Sequence, residues 1–72
     1  MKKPEVHFRS EHESGNIFWI IGAVQLKLHE QQRITDYNTM RDRVLKAGSY
    51  VKALEIINEY VTLVDDDRRY RF

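Results

Sequence analysis

Chemistry near neutral pH needs groups that titrate there, attack carbon or phosphorus, or hold a metal, and this sequence spaces such groups thinly. His7, His12 and His29 are the side chains whose ordinary pKa lies close to neutrality. His7 and His12 share a polar stretch with Glu11 and Glu13, which puts four oxygen or nitrogen donors within seven residues. Those atoms suit a divalent ion. Their spacing fits no zinc signature, however, and no apolar frame surrounds them to orient the ligands. The expectation is a solvated loop and no metal. His29 falls near the end of a helical stretch, where packing or the helix dipole accounts for it.

Nucleophiles are equally short of partners. Cysteine is absent, so disulfides, thiolate metal sites and cysteine catalysis are excluded together. Ser10, Ser14 and Ser49 stand in no Gly-rich turn beside a base, the arrangement that activates a hydroxyl. Glu55 and Glu59 lie one helical turn apart on a face that should be solvated. Neither a phosphate-binding loop nor a dinucleotide fingerprint occurs, and 72 residues have little room to enclose a pocket. Catalysis, cofactors and small-molecule ligands are therefore not expected.

The chain as a whole has the make-up of a single small domain over residues 1–72. Hydrophobic residues form 42% and charged residues 32%, enough for a core under a solvated surface. At this size only about 60% of the unfolded chain's surface is buried, so the core is marginal. Twelve basic against eleven acidic side chains give +1, which argues against a dedicated polyanion binder. The longest apolar run, Ile17 to Val24, falls well short of the roughly 20 residues that span a bilayer. Met1-Lys2-Lys3 leads into Pro4-Glu5 rather than an apolar segment, so no secretory signal is expected and the cytoplasm is the expected address.

Three helices should carry these residues, giving a mainly α fold: a polar segment over 1–13, a helical core over 14–64 and a charged tail over 65–72. Ile17, Ile20, Ile21, Val24 and Leu28 mark one face of a first helix, capped at Ser14 or Asn16 and running to about Gln32. Thr35 is expected to cap a second helix ending at Gly48, with Tyr37, Met40, Val44 and Ala47 inward. Ser49 should cap a third helix over about 50–61, burying Ala53, Leu54, Ile57 and Val61, with Tyr50 and Tyr60 on the same side. Thr62-Leu63-Val64 follows as frayed helix or an extended piece. Val6 and Phe8 alternate with polar neighbours, as do Tyr70 and Phe72, and the two ends are expected to pair as a small β appendage.

The string Gly15-Asn16-Ile17-Phe18-Trp19-Ile20-Ile21-Gly22-Ala23-Val24 resembles the G-N-x-F-x-[IL]-x-G-x-V opening of a family of small bacterial and phage-associated helical proteins of unknown function. Ala47-Gly48-Ser49-Tyr50, Ala53-Leu54 and Tyr60-Val61 resemble its later S-G-[DS]-Y motif and closing apolar helix. The likeness spans roughly residues 15–61. Ala47 replaces a commoner Ser, and Trp19 replaces a small residue. The resemblance implies a small helical fold and brings no active site. Folding alone explains the motif: Gly15-Asn16 starts a helix, Phe18 and Ile20 pack, Gly22 admits a close neighbour and Gly48-Ser49 separates two helices.

Two binding functions follow from the faces left over. Trp19, Ala23 and Leu26 make a second apolar stripe on helix 1, which either the termini cover or a protein partner does, a second copy being the economical case. The alternative is nucleic acid: helices 2 and 3 have the spacing of a helix-turn-helix, with Arg41, Arg43, Lys46 and Lys52 as candidate contacts. Glu55 and Glu59 on the would-be recognition helix oppose a polyanion. The near-neutral total thus conceals a basic helix 2 beside a mildly acidic helix 3. A non-catalytic protein–protein interaction domain is the expected function, as a homodimer or with another chain.

Overall fold

A computed structural model describes residues 3–72; Met1 and Lys2, at the head of the polar stretch, lie outside the described residues. The elements follow in the order β1 (Glu5–Phe8), a short 3-10 turn (Glu13–Gly15), α1 (Ile17–Glu30), α2 (Ile34–Leu45), α3 (Tyr50–Ile57) and β2 (Thr62–Asp65). The expected three helices and small sheet are present.

Capping chemistry sets most of the boundaries. Asn16 starts α1, its side chain accepting the Phe18 N–H at 2.8 Å. At the other end Gln32 turns left-handed at φ 56°. The Arg33 N–H then donates back to Leu28 at 2.7 Å and the Gln32 N–H to His29 at 3.0 Å, a Schellman ending. Gly48, at φ 79°, ends the α2 region, and Ser49 caps α3 by accepting the Lys52 N–H at 3.1 Å. Two boundaries differ from expectation. Thr35 lies inside α2 rather than capping it, because the chain leaves the Schellman turn at Arg33 and is helical from Ile34. The α3 helix stops at Ile57 instead of Val61, since the Asn58 side chain accepts the Leu63 N–H at 2.9 Å and turns the chain toward β2.

The sheet is made from the two chain ends, but its carboxy-terminal strand is Thr62–Asp65 rather than the Tyr70–Phe72 tail. Glu5 pairs with Thr62, Val6 with Leu63, His7 with Val64 and Phe8 with Asp65, in parallel. Parallel strands demand a crossover, and here all three helices form it. Val6, Phe8, Leu63 and Asp65 face inward, while Glu5 and Thr62 face water. Beneath the sheet the core gathers Ile20, Val24 and Leu28 of α1, Met40 and Val44 of α2, and Leu54 and Ile57 of α3.

Long-range polar ties close the shell. The Tyr50 hydroxyl donates to the Gly15 carbonyl at 2.5 Å, fixing the start of α3 to the start of α1. The Arg33 guanidinium donates to Asp36 at 2.8 Å and to the Tyr60 carbonyl at 3.2 Å, joining the α1–α2 connection to the approach to β2. Gly15 is needed where it stands, since a Cβ there would meet the Ser10 carbonyl oxygen at 2.6 Å.

Candidate functional site

The fold leaves the outer face of α1 open. Ile20, Ile21, Val24 and Leu28 turn inward, and the turns between them carry Phe18, Trp19, Gly22, Ala23 and Leu26 outward. Phe18 is 69% exposed, Leu26 69% and Trp19 47%. Ala23 is half-buried against the margin of the core. From Ile17 to Leu26 the helix carries no charged side chain, and charge returns only at Lys27, His29 and Glu30.

Among the described residues, neither terminal segment reaches across this face. Val6 and Phe8 are committed to the core, Tyr70 packs at 5.5 Å from the Tyr50 ring, and Phe72 is itself 47% exposed. Of the expected stripe, Trp19 and Leu26 are therefore open and Ala23 lies half-covered between them. Two neighbours differ from expectation. Phe18 does not pack: it is largely exposed, off the face of α1 that buries Ile20, Ile21, Val24 and Leu28. Gly22 has no close neighbour among the described residues, since a Cβ placed on it would meet nothing within 4 Å. Gly22 sits one helical turn before Leu26, and Phe18 one turn before Gly22, in a row beside the expected stripe.

Of the other exposed apolar residues, Leu45 lines a shallow groove with Ile17 and Ile21 of α1, Ile34 opens α2, and Val51 and Phe72 line a shallow cleft of about 500 Å³ beside α3.

The polar candidates fall into structural roles. His7 lies on the outer side of β1, its Nδ1 at 2.8 Å from Asp66 and its Nε2 at 2.5 Å from Glu5. Hydrogen bonding to Asp66 first, and to Glu5, raises its pKa above 6.5. His12 pairs with Asp67 at 3.1 Å, and among the described residues no three metal-ligating groups converge. His29 meets the edge of the Tyr37 ring at 5.7 Å.

A cluster the sequence did not announce is centred on Asp65, which is buried at 6% exposure. Its carboxylate accepts from the Ser10 N–H and hydroxyl, and from the N–H groups of Asp67, Arg69 and Tyr70, at 2.6–3.1 Å. Burial opposes the charged form, yet the donors from Ser10, Tyr70 and Asp67 outweigh it and lower the pKa from 3.8 to about 2. Every lone pair is spent on the chain itself, so this carboxylate holds a turn and offers nothing to a substrate.

The candidate nucleic-acid contacts are partly engaged. Arg43 forms a two-pronged pair with Glu59 at 2.8 and 2.9 Å, and also reaches the Tyr60 hydroxyl. Lys46 pairs with Asp42 at 3.3 Å. Arg41 and Lys52 are exposed on α2 and α3. The α3 helix is only eight residues long.

No family model matches this chain, and no curated protein or solved structure matches it either. No described helix is long and apolar enough to cross a membrane.

Proposed function

We propose that this chain is a non-catalytic protein–protein interaction domain, acting in the cytoplasm, whose contact surface is the outer face of α1. The observation that carries this is the uncovered set Phe18, Trp19 and Leu26 on one uncharged helical face. Contiguous exposed apolar surface is costly to keep in water and marks interaction sites, and a large aromatic ringed by smaller apolar groups is the usual anchor of a contact. The likeness of the Gly15–Val24 string to the opening of small bacterial and phage-associated proteins is compatible with this role and assigns no activity. With Arg43 and Lys46 already paired to carboxylates, the α2–α3 pair has less free positive charge than a nucleic-acid surface requires.

A photo-crosslinking side chain in place of Leu26 tests the proposal in cells that make the protein. It should yield covalent adducts with a protein chain, while the same group in place of Asn38, exposed on α2, should yield none. Absence of adducts at both positions would overturn it.

A further inference from the structure

The occupant of the α1 face can be argued from its pattern. Trp19 and Leu26 are the bulky residues at its two ends, and Gly22 and Ala23 lie between them. The midpoint between Gly22 and Ala23 is equidistant from Trp19 and Leu26, three and a half residues either way. A two-fold axis through that midpoint sets Trp19 of one helix opposite Leu26 of another, and Gly22 opposite Ala23. Large meets large around a small centre, where two helix backbones approach closely. A surface complementary to itself under a two-fold axis is what an isologous dimer requires.

Gly22 adds a second argument. A glycine in a helix interior costs about 1 kcal/mol relative to alanine, and among the described residues no side chain or other segment comes within 4 Å of where its Cβ would be. The close contact that would justify it must come from outside.

Charge then chooses the direction. Lys27, His29 and Glu30 all lie in the last turn of α1, and none of its first ten residues is charged. Parallel helices would set Lys27 against Lys27 and Glu30 against Glu30. An antiparallel pair sends the charged ends to opposite sides and opposes the two helix dipoles.

The exposed area is of the order a small dimer uses, with the three large side chains supplying most of it. A specific interface covers roughly a tenth of a small protein's surface, and pairs need about 1,000 Å² in total. With 4942 Å² accessible, a tenth is about 500 Å² per copy. From the exposures of Phe18, Trp19 and Leu26 and roughly 150–250 Å² in a large side chain, these three supply about 350 Å². Gly22, Ala23 and the neighbouring Gln25 lie inside the same footprint.

We infer that the partner is a second copy of this chain, docked through an antiparallel α1–α1 crossing at Gly22 and Ala23. This rests on the assignment of the α1 face as an interaction surface.

Because the chain has no cysteine, single cysteines report the geometry directly. Light scattering of the purified full chain, from micromolar to millimolar, should show a monomer–dimer equilibrium. Leu26→Glu should remain monomeric throughout with an unchanged circular dichroism spectrum. Gly22→Ala should melt no earlier than the parent yet dimerise about tenfold more weakly, a combination that a purely structural glycine would not produce. On oxidation Ala23→Cys should form a covalent dimer, since the two copies of residue 23 lie beside the axis. Trp19→Cys should not, because its two copies are displaced by about 10 Å along the helices at 1.5 Å per residue. The double variant Trp19→Cys/Leu26→Cys should crosslink again.

A folded parent that stays monomeric at millimolar concentration overturns the inference, as does crosslinking of Trp19→Cys as readily as Ala23→Cys. The mass of the photo-adduct at position 26 separates the two proposals. Twice the chain mass supports the dimer; an adduct with a different chain alone removes the dimer and leaves the interaction domain; no adduct removes both.

Discussion

Asp65 is the charged side chain on which the carboxy-terminal third of the fold turns. Five donors converge on its two oxygens, binding the loop after β1 to the turn after β2. Replacing it with asparagine substitutes an amide nitrogen for one accepting oxygen, so at least two of those donors lose their partner. Asp65→Asn should therefore cost about 3 kcal/mol, read as a lower urea midpoint with an unchanged denaturant slope. The pH dependence has a definite sign. A carboxyl at about 2 in the folded chain, against an ordinary 3.8, binds its proton more readily when unfolded. Its contribution is fully present above pH 3.8 and is lost as the pH falls toward 2. Urea midpoints measured across that window should fall steeply for the parent and less steeply for Asp65→Asn. The aspartate run 65–67 reads in sequence only as the start of a charged tail, because burial of a single carboxylate depends on Ser10, 55 residues away, and leaves no local pattern.

Local signals located the helices well and the strands poorly, for the same physical reason. The faces Ile20–Leu28, Tyr37–Val44 and Ala53–Ile57 repeat with the helical period, so burial can be read along the chain itself. The end of α3 and the identity of β2 depend on Asn58 capturing the Leu63 N–H and on β1, more than fifty residues earlier. Thr35 looked like a cap because of its type, but the Schellman turn before it had already set the helical path. Of the candidate surface, Trp19 and Leu26 were legible as an excess apolar stripe. Phe18 was not, since one aromatic beside a helix start reads equally well as core. The turn between α2 and α3 was legible in Gly48 and Ser49, although α2 stops at Leu45 rather than running to Gly48, and it can be tested as an element. Gly48 holds φ 79°, where a Cβ costs about 1–2 kcal/mol, and the Ser49 cap is worth about 1 kcal/mol. Gly48→Ala and Ser49→Ala should each lower the urea midpoint accordingly. Since they act on one turn, the double variant should depart from the sum of the two.

At the scale of the whole molecule, the two chain ends serve as the lid of a helical core that is too small to close itself. The helices contribute one side of the core, and β1 and β2 contribute Val6, Phe8 and Leu63 from the other. Domains hold roughly 0.05–0.15 kcal/mol per residue, which for 72 residues is about 4–11 kcal/mol in all. Phe8 is 1% exposed and is the largest fully buried side chain, and truncating a buried phenylalanine to alanine costs about 3–5 kcal/mol. Phe8→Ala should therefore consume much of the stability of the fold, although it lies nine residues before α1 and touches none of the helix-capping chemistry. Thermal melting followed at 222 nm should show a midpoint lowered by more than 10 °C, at about 4–8 °C per kcal/mol for a domain of this size. A Trp19→Ala variant at the same monomeric concentration should melt within a few degrees of the parent, because Trp19 supports no buried contact of comparable extent. Equal losses from the two substitutions would mean that the α1 face is as much a part of the core as the sheet, and would remove the distinction on which the interaction surface rests.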